Sequence, residues 1–308
     1  MTLGFLIIII IIIILYSYLN NIYRKFRLEQ IQKKCYEDSE IKNIIDKNTN
    51  YIENGLNNII NEYVKNDELN YICKYSLDGG KKIRSLIGYS IYYNINPSYD
   101  VNMINCVELL HTSSLILDDI MDCDKMRRNK KSLYYKFGIA KAQLAASQLV
   151  LTSSQLINNE ILGINKNINN YVLHIFQNLI NGQFDDISKK SKDIIKTSIE
   201  KTSSLFQLLF ALSFGDKLTE DNLPILNLIG IYFGLIYQIA DDFSDYYSDK
   251  NNNIVQVLGY KKSIELFDIY ITELYNLLVY MDILTYEIYY IMDYLYDLTI
   301  KNYNYIKD

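Results

Sequence analysis

The sequence predicts an all-α protein, and three observations support this fold class. After residue 40, apolar residues recur three and four positions apart, as on one face of a helix; Ile264, Phe267, Ile271, Leu274 and Leu278 show the spacing. The 308 residues include only two prolines, so few positions would break a helix. No stretch shows a convincing strand-like alternation of apolar and polar residues.

The first 23 residues, MTLGFLIIIIIIIILYSYLNNIY, carry no charged side chain. About 20 mostly apolar residues can span a bilayer, so residues 1–23 are predicted to form an N-terminal transmembrane anchor. A cleaved signal peptide is the alternative, but no basic region precedes the apolar run and no small-residue cleavage pattern follows it. The basic stretch RKFR follows instead, which predicts that the rest of the chain faces the cytoplasm. Residues 24–45 would then be a juxtamembrane linker and residues 46–308 the main domain.

Charge and cysteine usage exclude other classes of function. The formal net charge of -5 argues against a nucleic-acid partner, because nucleic-acid-binding proteins neutralise phosphates with a basic surface. The four cysteines show no CxxC spacing, which argues against a zinc site and against a disulfide framework. Phosphate recognition, if present, must therefore be local.

A glycine pair leads into a basic stretch in DGGKKIRS. Gly79 and Gly80 allow the backbone to approach a phosphate closely, and Lys81, Lys82 and Arg84 supply positive charge. A glycine turn before a charged helix start is common, so this stretch alone indicates a phosphate site only weakly.

The stretch LILDDIMDCDKMRR sets aspartates directly beside two arginines. On a helix, Asp118 and Asp122 share one face and Asp119 is turned partly aside. Like charges at this spacing repel each other, and a divalent cation that bridges the carboxylates would relieve the repulsion. A solvated acidic face is the alternative. Arg127 and Arg128 are suited to phosphate oxygens that the cation leaves free.

A second aspartate cluster in YQIADDFSDYYSD contains Asp241, Asp242 and Asp245 at the same spacing. Two such clusters can face each other across a cavity between helices. Since Mg²⁺ binds through one or two carboxylates together with substrate phosphates, the pair predicts a magnesium-bound diphosphate. His111 lies seven residues before Asp118 on the same helical face. It is either a packed core histidine or a donor to a second diphosphate.

Five stretches in order, GGKKIR, LLHTSSLILDDIMDCDKMRR, NGQFDDI, KTSSLF and YQIADDFSDYYSD, resemble the motifs of the trans-isoprenyl diphosphate synthases, the polyprenyl synthetase family. Within that family the sequence is most similar to geranylgeranyl diphosphate synthases. The resemblance implies an isoprenoid synthase-type orthogonal helix bundle around a central apolar cavity, with residues 46–308 as the catalytic domain. It also implies a homodimer.

The resemblance assigns roles to particular residues. About three Mg²⁺ ions would be held by the two aspartate motifs, that is, by Asp118, Asp119, Asp122, Asp241, Asp242 and Asp245. Isopentenyl diphosphate would be bound by Lys81, Arg84, His111 and Arg128. The allylic diphosphate would be contacted by Arg127, Lys201, Thr202 and Gln238, with Gln183 nearby.

The implied reaction is trans-prenyl transfer. Metal ions and basic side chains draw charge toward the diphosphate leaving group, an allylic carbocation forms, and the alkene of isopentenyl diphosphate attacks it. No protein nucleophile is required, because the released diphosphate takes the proton. Family members that stop at about fifteen carbons put aromatic bulk one turn before the first motif, where this chain has Ser113 and Ser114. Two serines predict a product of about twenty carbons or longer.

The sequence departs from the family pattern at two places. Asn129 follows Arg128, where the family usually has glycine, and the segment DKNNNIVQVLG after the second motif is short and leaves Lys250 as the nearby cation. The short segment favours one alternative, a catalytically weak or inactive regulatory subunit of a synthase, whereas the intact carboxylates argue against it. A class I terpene cyclase is a further alternative, which ADDFSD and GGKKIR disfavour.

Overall fold

The structure, a computed structural model, describes residues 38–95, 102–161, 166–188, 193–247 and 253–307. The chain divides into two units, Met1–Ile44 and Ile45–Asp308. The first unit is described only from residue 38, where a helix begins. The predicted anchor (1–23) and most of the predicted linker (24–45) lie outside the described residues, so both stay predictions.

The described residues are mainly α-helical, as the sequence pattern predicts. In chain order the helices are α1 Asp38–Tyr63, α2 Asp67–Leu77, α3 Ile83–Ile95, α4 Asn102–Met121, α5 Leu133–Phe137, α6 Ile139–Ile161, α7 Lys166–Ser188, α8 Ile194–Ser198, α9 Ser204–Ser213, α10 Leu223–Ser244, α11 Ile254–Leu258, α12 Tyr260–Tyr280 and α13 Tyr286–Lys307. A π-helical turn, Ile199–Ser203, joins α8 to α9, and a 3-10 turn, Gly215–Lys217, follows α9.

A short β-hairpin follows α4 and corrects the expectation that no strand would be found. Strand β1 (Met126–Arg127) pairs antiparallel with β2 (Lys130–Lys131). The two tip residues, Arg128 and Asn129, have φ values of 50° and 60°. Asparagine adopts this left-handed conformation more readily than most residues other than glycine. The departure of Asn129 from the family's glycine is therefore accommodated by the turn.

Helix α10 lies in the core of the second unit and packs against α9, α12 and α13. Two glycines permit its closest contacts: a Cβ on Gly234 would lie 2.4 Å from Ser203 Cα, and one on Gly230 would lie 2.4 Å from the Gln207 backbone nitrogen. Among the described residues, α10 is the one helix that is long and apolar enough to cross a membrane, but half of its apolar window is buried inside the fold. Its apolar character is that of a core helix, and it carries the second aspartate motif at its C-terminal end.

Helices α4 and α6 are antiparallel and in close contact. Ser113 Oγ donates to the carbonyl of Ala146 over 3.0 Å, and Ser153 Oγ donates to the carbonyl of Cys106 over 3.1 Å. These two bonds fix the register, and the first aspartate motif then lies where α4 ends.

Candidate active site

Both aspartate motifs open onto one cavity of about 830 Å³. Asp118 and Asp122 reach it from the end of α4, and Asp241 reaches it from α10. The cavity is also lined by the basic side chains of Lys81, Arg84, Arg127, Arg128 and Lys201 and by an apolar wall. The volume is typical of a cavity that encloses a small-molecule ligand. Carboxylates from two motifs far apart in sequence therefore share one space with a cluster of cations.

Asp118 is half-buried at the centre of this arrangement. Its Oδ1 accepts a hydrogen bond from Gln183 Nε2 of α7, and Lys201 Nζ lies 3.9 Å away. Burial raises the pKa of Asp118; Lys201 opposes the rise, and the like charge of Asp122 adds to it. The charged form of the carboxylate is thus under-compensated by the protein alone, and a cation in the cavity would favour it.

Lys201 lies in the π-helical turn, a distortion that is frequent at functional sites. Its Nζ is 2.5 Å from Asp186 Oδ2. Burial alone would lower the pKa of Lys201, but the carboxylates of Asp118 and Asp186 raise it above its ordinary value, so the side chain is a fixed cation. Gly182 allows α7 to approach this turn, since a Cβ there would lie 2.4 Å from the Lys201 backbone nitrogen.

At another part of the cavity wall, Arg84 and His111 are in contact, with Arg84 Nη1 3.3 Å from His111 Nε2. The Arg84 guanidinium lies over the rings of Phe206 (4.6 Å) and Tyr237 (5.5 Å). Burial and then the nearby cations, first Arg84, hold the pKa of His111 well below its usual range. Because a guanidinium can only donate, a neutral His111 accepts at Nε2 and carries its proton on Nδ1.

A buried glutamate that the sequence analysis did not single out lies beneath this wall. Glu108 Oε1 is 3.3 Å from Lys82 Nζ and 3.9 Å from Arg128 Nη2, and the Lys82 and Glu108 side chains are 0% and 2% exposed. Arg128 Nη1 also donates to the Gly79 carbonyl over 3.0 Å. The sequence contained one signal: Glu108 is one helical turn before His111, on the same face of α4.

The packing around Arg128 explains the glycine pair. A Cβ on Gly80 would lie 2.7 Å from the Arg128 Cζ, and Gly80 has a φ of +86°. Glycine is therefore required both by the backbone conformation and by the space that the guanidinium occupies.

Three of the six aspartates predicted as metal ligands do not line the cavity, and the assignment of all six as metal ligands stays a prediction. Asp119 is buried and accepts from Arg127 Nε over 2.7 Å. Asp242 is buried and accepts from the Ile254 backbone N–H over 2.6 Å, and Asp245 lies exposed just beyond α10. Burial raises the pKa of Asp119, and the bond from Arg127 opposes that rise. In the part of the chain that the structure describes, no three His, Cys, Asp or Glu side chains form a metal-binding group by themselves.

The remaining predicted contacts with the allylic substrate form a chain of hydrogen bonds at the cavity wall. Thr202 Oγ1 donates to Gln238 Oε1 over 2.7 Å, and Gln238 Nε2 donates to Asp242 Oδ1 over 2.8 Å. Asp242 therefore links the wall to the first residues of α11. Lys250, in the short segment between, lies outside the described residues.

The apolar end of the cavity contains the two serines that the sequence analysis linked to product length. Ser113 and Ser114 both line it, and Ser114 Oγ donates to the His111 carbonyl over 2.8 Å. Val150 of α6 and Phe176 of α7 also line the cavity and were not singled out from the sequence. Phe176 is two helical turns, about 10 Å, before Gln183, so it lies well away from the carboxylates.

Comparisons with known proteins agree on one group of relatives. The family model "Polyprenyl synthetase" matches residues 66–256. The trans-prenyltransferase of African swine fever virus (isolate Pig/Kenya/KEN-50/1950) is 29% identical over 238 residues, 70% of this chain and 71% of the relative. The hexaprenyl pyrophosphate synthase of Saccharolobus solfataricus is 31% identical over 188 residues, 59% of this chain and 64% of the relative. Geranyltranstransferase of Thermotoga maritima, a solved structure, has the same fold, with a TM-score of 0.73 and 23% identity over 83% of this chain and 98% of that chain.

Proposed function

The chain belongs to the polyprenyl synthetase family, and from this premise we propose that it condenses isopentenyl diphosphate with an allylic diphosphate. The observation that carries the proposal is the shared cavity, which is lined by carboxylates of both aspartate motifs, by basic side chains and by apolar side chains. A diphosphate with a hydrocarbon tail suits a cavity whose lining is partly charged and partly apolar. The trans-prenyltransferase relative from African swine fever virus supports the same class of reaction.

The carboxylates that line the cavity suit Mg²⁺, because they are hard oxygen donors. Asp118, Asp122 and Asp241 would hold about three Mg²⁺ ions together with the diphosphate oxygens. When bound, these ions stabilise the negative charge that develops on the diphosphate leaving group.

The side chains of this chain bind and orient the two substrates. Lys201, fixed as a cation by Asp118 and Asp186, lies where it can contact the allylic diphosphate. Arg84 and His111, which contact each other and line the cavity, would bind the diphosphate of the isopentenyl substrate. The apolar wall excludes water from the carbocation. The diphosphate released from the allylic substrate takes the proton, so no side chain is required as a base.

The product is proposed to have about twenty carbons or more, because serines rather than aromatic residues lie one turn before the first motif. The named relatives span several product classes and do not narrow this choice: they include a hexaprenyl pyrophosphate synthase and farnesyl diphosphate synthases.

A homodimer is proposed from exposed apolar side chains on three neighbouring helices. Soluble monomers rarely expose a large contiguous apolar patch. The exposed side chains are Leu117 and Met121 on α4, Leu144 and Leu151 on α6, and Ile180 and Phe184 on α7; of these, Leu117, Ile180 and Phe184 also line the cavity. Membrane attachment through residues 1–23, with the catalytic domain facing the cytoplasm, is proposed from the uncharged apolar run and the basic residues that follow it.

The second candidate is a catalytically weak or inactive regulatory subunit that pairs with an active synthase. The short segment DKNNNIVQVLG, with a single lysine after the second motif, favours it. The retained carboxylates on both sides of the cavity favour the active enzyme, because mutually repelling charges have no structural use there.

The test is turnover by the full-length chain in detergent micelles. Isopentenyl diphosphate and an allylic diphosphate are supplied with Mg²⁺ or with EDTA, and the products are extracted and sized. We expect magnesium-dependent condensation, lowered at least about 100-fold by Asp118→Asn and little changed by the matched variant Asp245→Asn, whose aspartate lies outside the cavity lining. Folded wild-type protein that forms no condensation product would reject the proposed activity and favour the regulatory subunit.

A further inference from the structure

The C-terminal helix contacts a lysine of the cavity. Lys81 Nζ donates a hydrogen bond to the Tyr294 hydroxyl over 2.8 Å and lies 4.6 Å from the centre of the Tyr294 ring. Lys81 lines the cavity next to Gly80. Tyr294 is on α13, outside residues 66–256, which the family model matches. The contact therefore joins Lys81, of the DGGKKIRS stretch, to a helix that contains none of the sequence motifs.

The contact limits the freedom of a side chain that would otherwise sample many rotamers. A lysine ammonium has three N–H donors on a flexible stem, and ordering that stem opposes binding. The Tyr294 hydroxyl takes one donor and its ring attracts the ammonium, so two donors are left for phosphate oxygens. Lys81 is thereby held at the cavity before a ligand arrives.

Helix α13, which carries Tyr294, is held in place by core packing. Ile288, Ile291 and Leu295 bury their side chains in the core on the face away from solvent. At the start of the helix, Thr285 Oγ1 and Ser90 Oγ of α3 share a hydrogen bond of 2.8 Å. Because α3 begins just after Lys81, α13 and the basic motif are joined at two places.

We propose that Tyr294 is a positioning residue for the isopentenyl diphosphate site and that it acts through Lys81. The inference rests on the proposed function. It makes the C-terminal helix a determinant of affinity for one substrate only, since Lys81 is assigned with Arg84, His111 and Arg128 to isopentenyl diphosphate, and its neighbour Gly80 packs against Arg128.

The test compares Tyr294→Phe with Tyr290→Phe in full-length protein. Tyr290 is one turn earlier on α13, and both tyrosines are 39% exposed. Loss of the Tyr294 hydroxyl should raise the KM for isopentenyl diphosphate about 3- to 10-fold, because a hydrogen bond to a charged group is lost. The KM for the allylic diphosphate, kcat and the melting temperature should stay unchanged, and Tyr290→Phe should leave all four quantities unchanged.

A second comparison shows whether the effect passes through Lys81. In a Lys81→Met background, which itself raises the KM for isopentenyl diphosphate, adding Tyr294→Phe should have no further effect. Equal effects of Tyr294→Phe with and without Lys81, an unchanged KM, or a rise in both KM values would overturn the inference while wild-type turnover upholds the proposed function. A wild-type protein without turnover would instead reject the proposed function, and this inference with it.

Discussion

Replacing Glu108 by glutamine should destabilise the protein, because Glu108 is the counter-charge of a buried lysine. Lys82 Nζ is 3.3 Å from Glu108 Oε1, and both side chains are at most 2% exposed. Removing one partner of a buried ion pair costs about 3–5 kcal/mol. Lys82 keeps a second acceptor, the Leu77 carbonyl at 2.5 Å, and the glutamine oxygen can still accept. We therefore expect a loss of stability at the lower end of this range, about 3 kcal/mol. The total free energy of unfolding of a typical protein is about 5–15 kcal/mol.

The assay is urea unfolding of wild type and variant, with a surface pair as the matched control. Lys141 and Glu68 also form an ion pair, but their side chains are 50% and 63% exposed. Glu68→Gln should therefore cost less than about 1 kcal/mol. The double variant Lys82→Met/Glu108→Gln removes the uncompensated charge and should recover most of the loss.

The loss of stability in Glu108→Gln should also depend on pH. Burial lowers the pKa of Lys82 from its ordinary 10.5, and Glu108 partly opposes the shift. Since the unfolded chain then binds the Lys82 proton more tightly than the folded chain, stability rises with pH between the lowered pKa and 10.5. Without Glu108 the pKa of Lys82 falls further, so the deficit shrinks as pH rises from the lowered pKa of the variant to that of the wild type, and is constant above it. A deficit no larger than that of Glu68→Gln, or one that does not change with pH, would refute this account of Glu108.

Two further predictions concern the apolar end of the cavity and the helix that carries the second motif. Ser114→Phe should shorten the main product by at least one isoprene unit, because an aromatic ring would fill the space beneath Asp118. Product sizing measures the change, and Ser114→Ala is the size-conserving control. An unchanged product length in Ser114→Phe would contradict the assignment of Ser114 to product length. Gly234→Ala should lower the free energy of unfolding by about 2 kcal/mol or more, because the new methyl group would meet the Ser203 backbone at 2.4 Å. Urea unfolding measures the change. A variant as stable as wild type would show that α10 and the π-helical turn can move apart without loss of stability.

Local periodicity predicted the parts of the site that lie on one helix. His111 and Asp118 lie on α4, and Asp122 follows its last residue with its backbone N–H bonded to the Asp118 carbonyl; the structure places all three at the cavity. The placement of Asp242 is different, because it depends on the Ile254 N–H, which approaches only when α11 packs against the end of α10. A carboxylate that binds a neighbouring backbone cannot be distinguished by spacing from one that faces the cavity.

Contacts between distant segments left no signal in the sequence. Lys82 and Glu108 are 26 residues apart, and Lys81 and Tyr294 are 213 residues apart. Tyr294 is one of thirty tyrosines, so its type carried little information before its position was known. The hairpin was missed for a simpler reason: strands of two residues are too short to show an alternating pattern.

The interlocking of Gly80 with the Arg128 guanidinium also has a consequence for folding. The two residues are 48 positions apart, and the Arg128 guanidinium occupies the space that a side chain at position 80 would need. The proposed phosphate site around Gly80 and Arg128 is therefore not complete within the segment around Gly80 alone. The site forms when α4 and its hairpin pack against the N-terminal end of α3, a contact between segments that are distant in sequence. A peptide that ends before the hairpin should therefore not form the phosphate site of the folded chain.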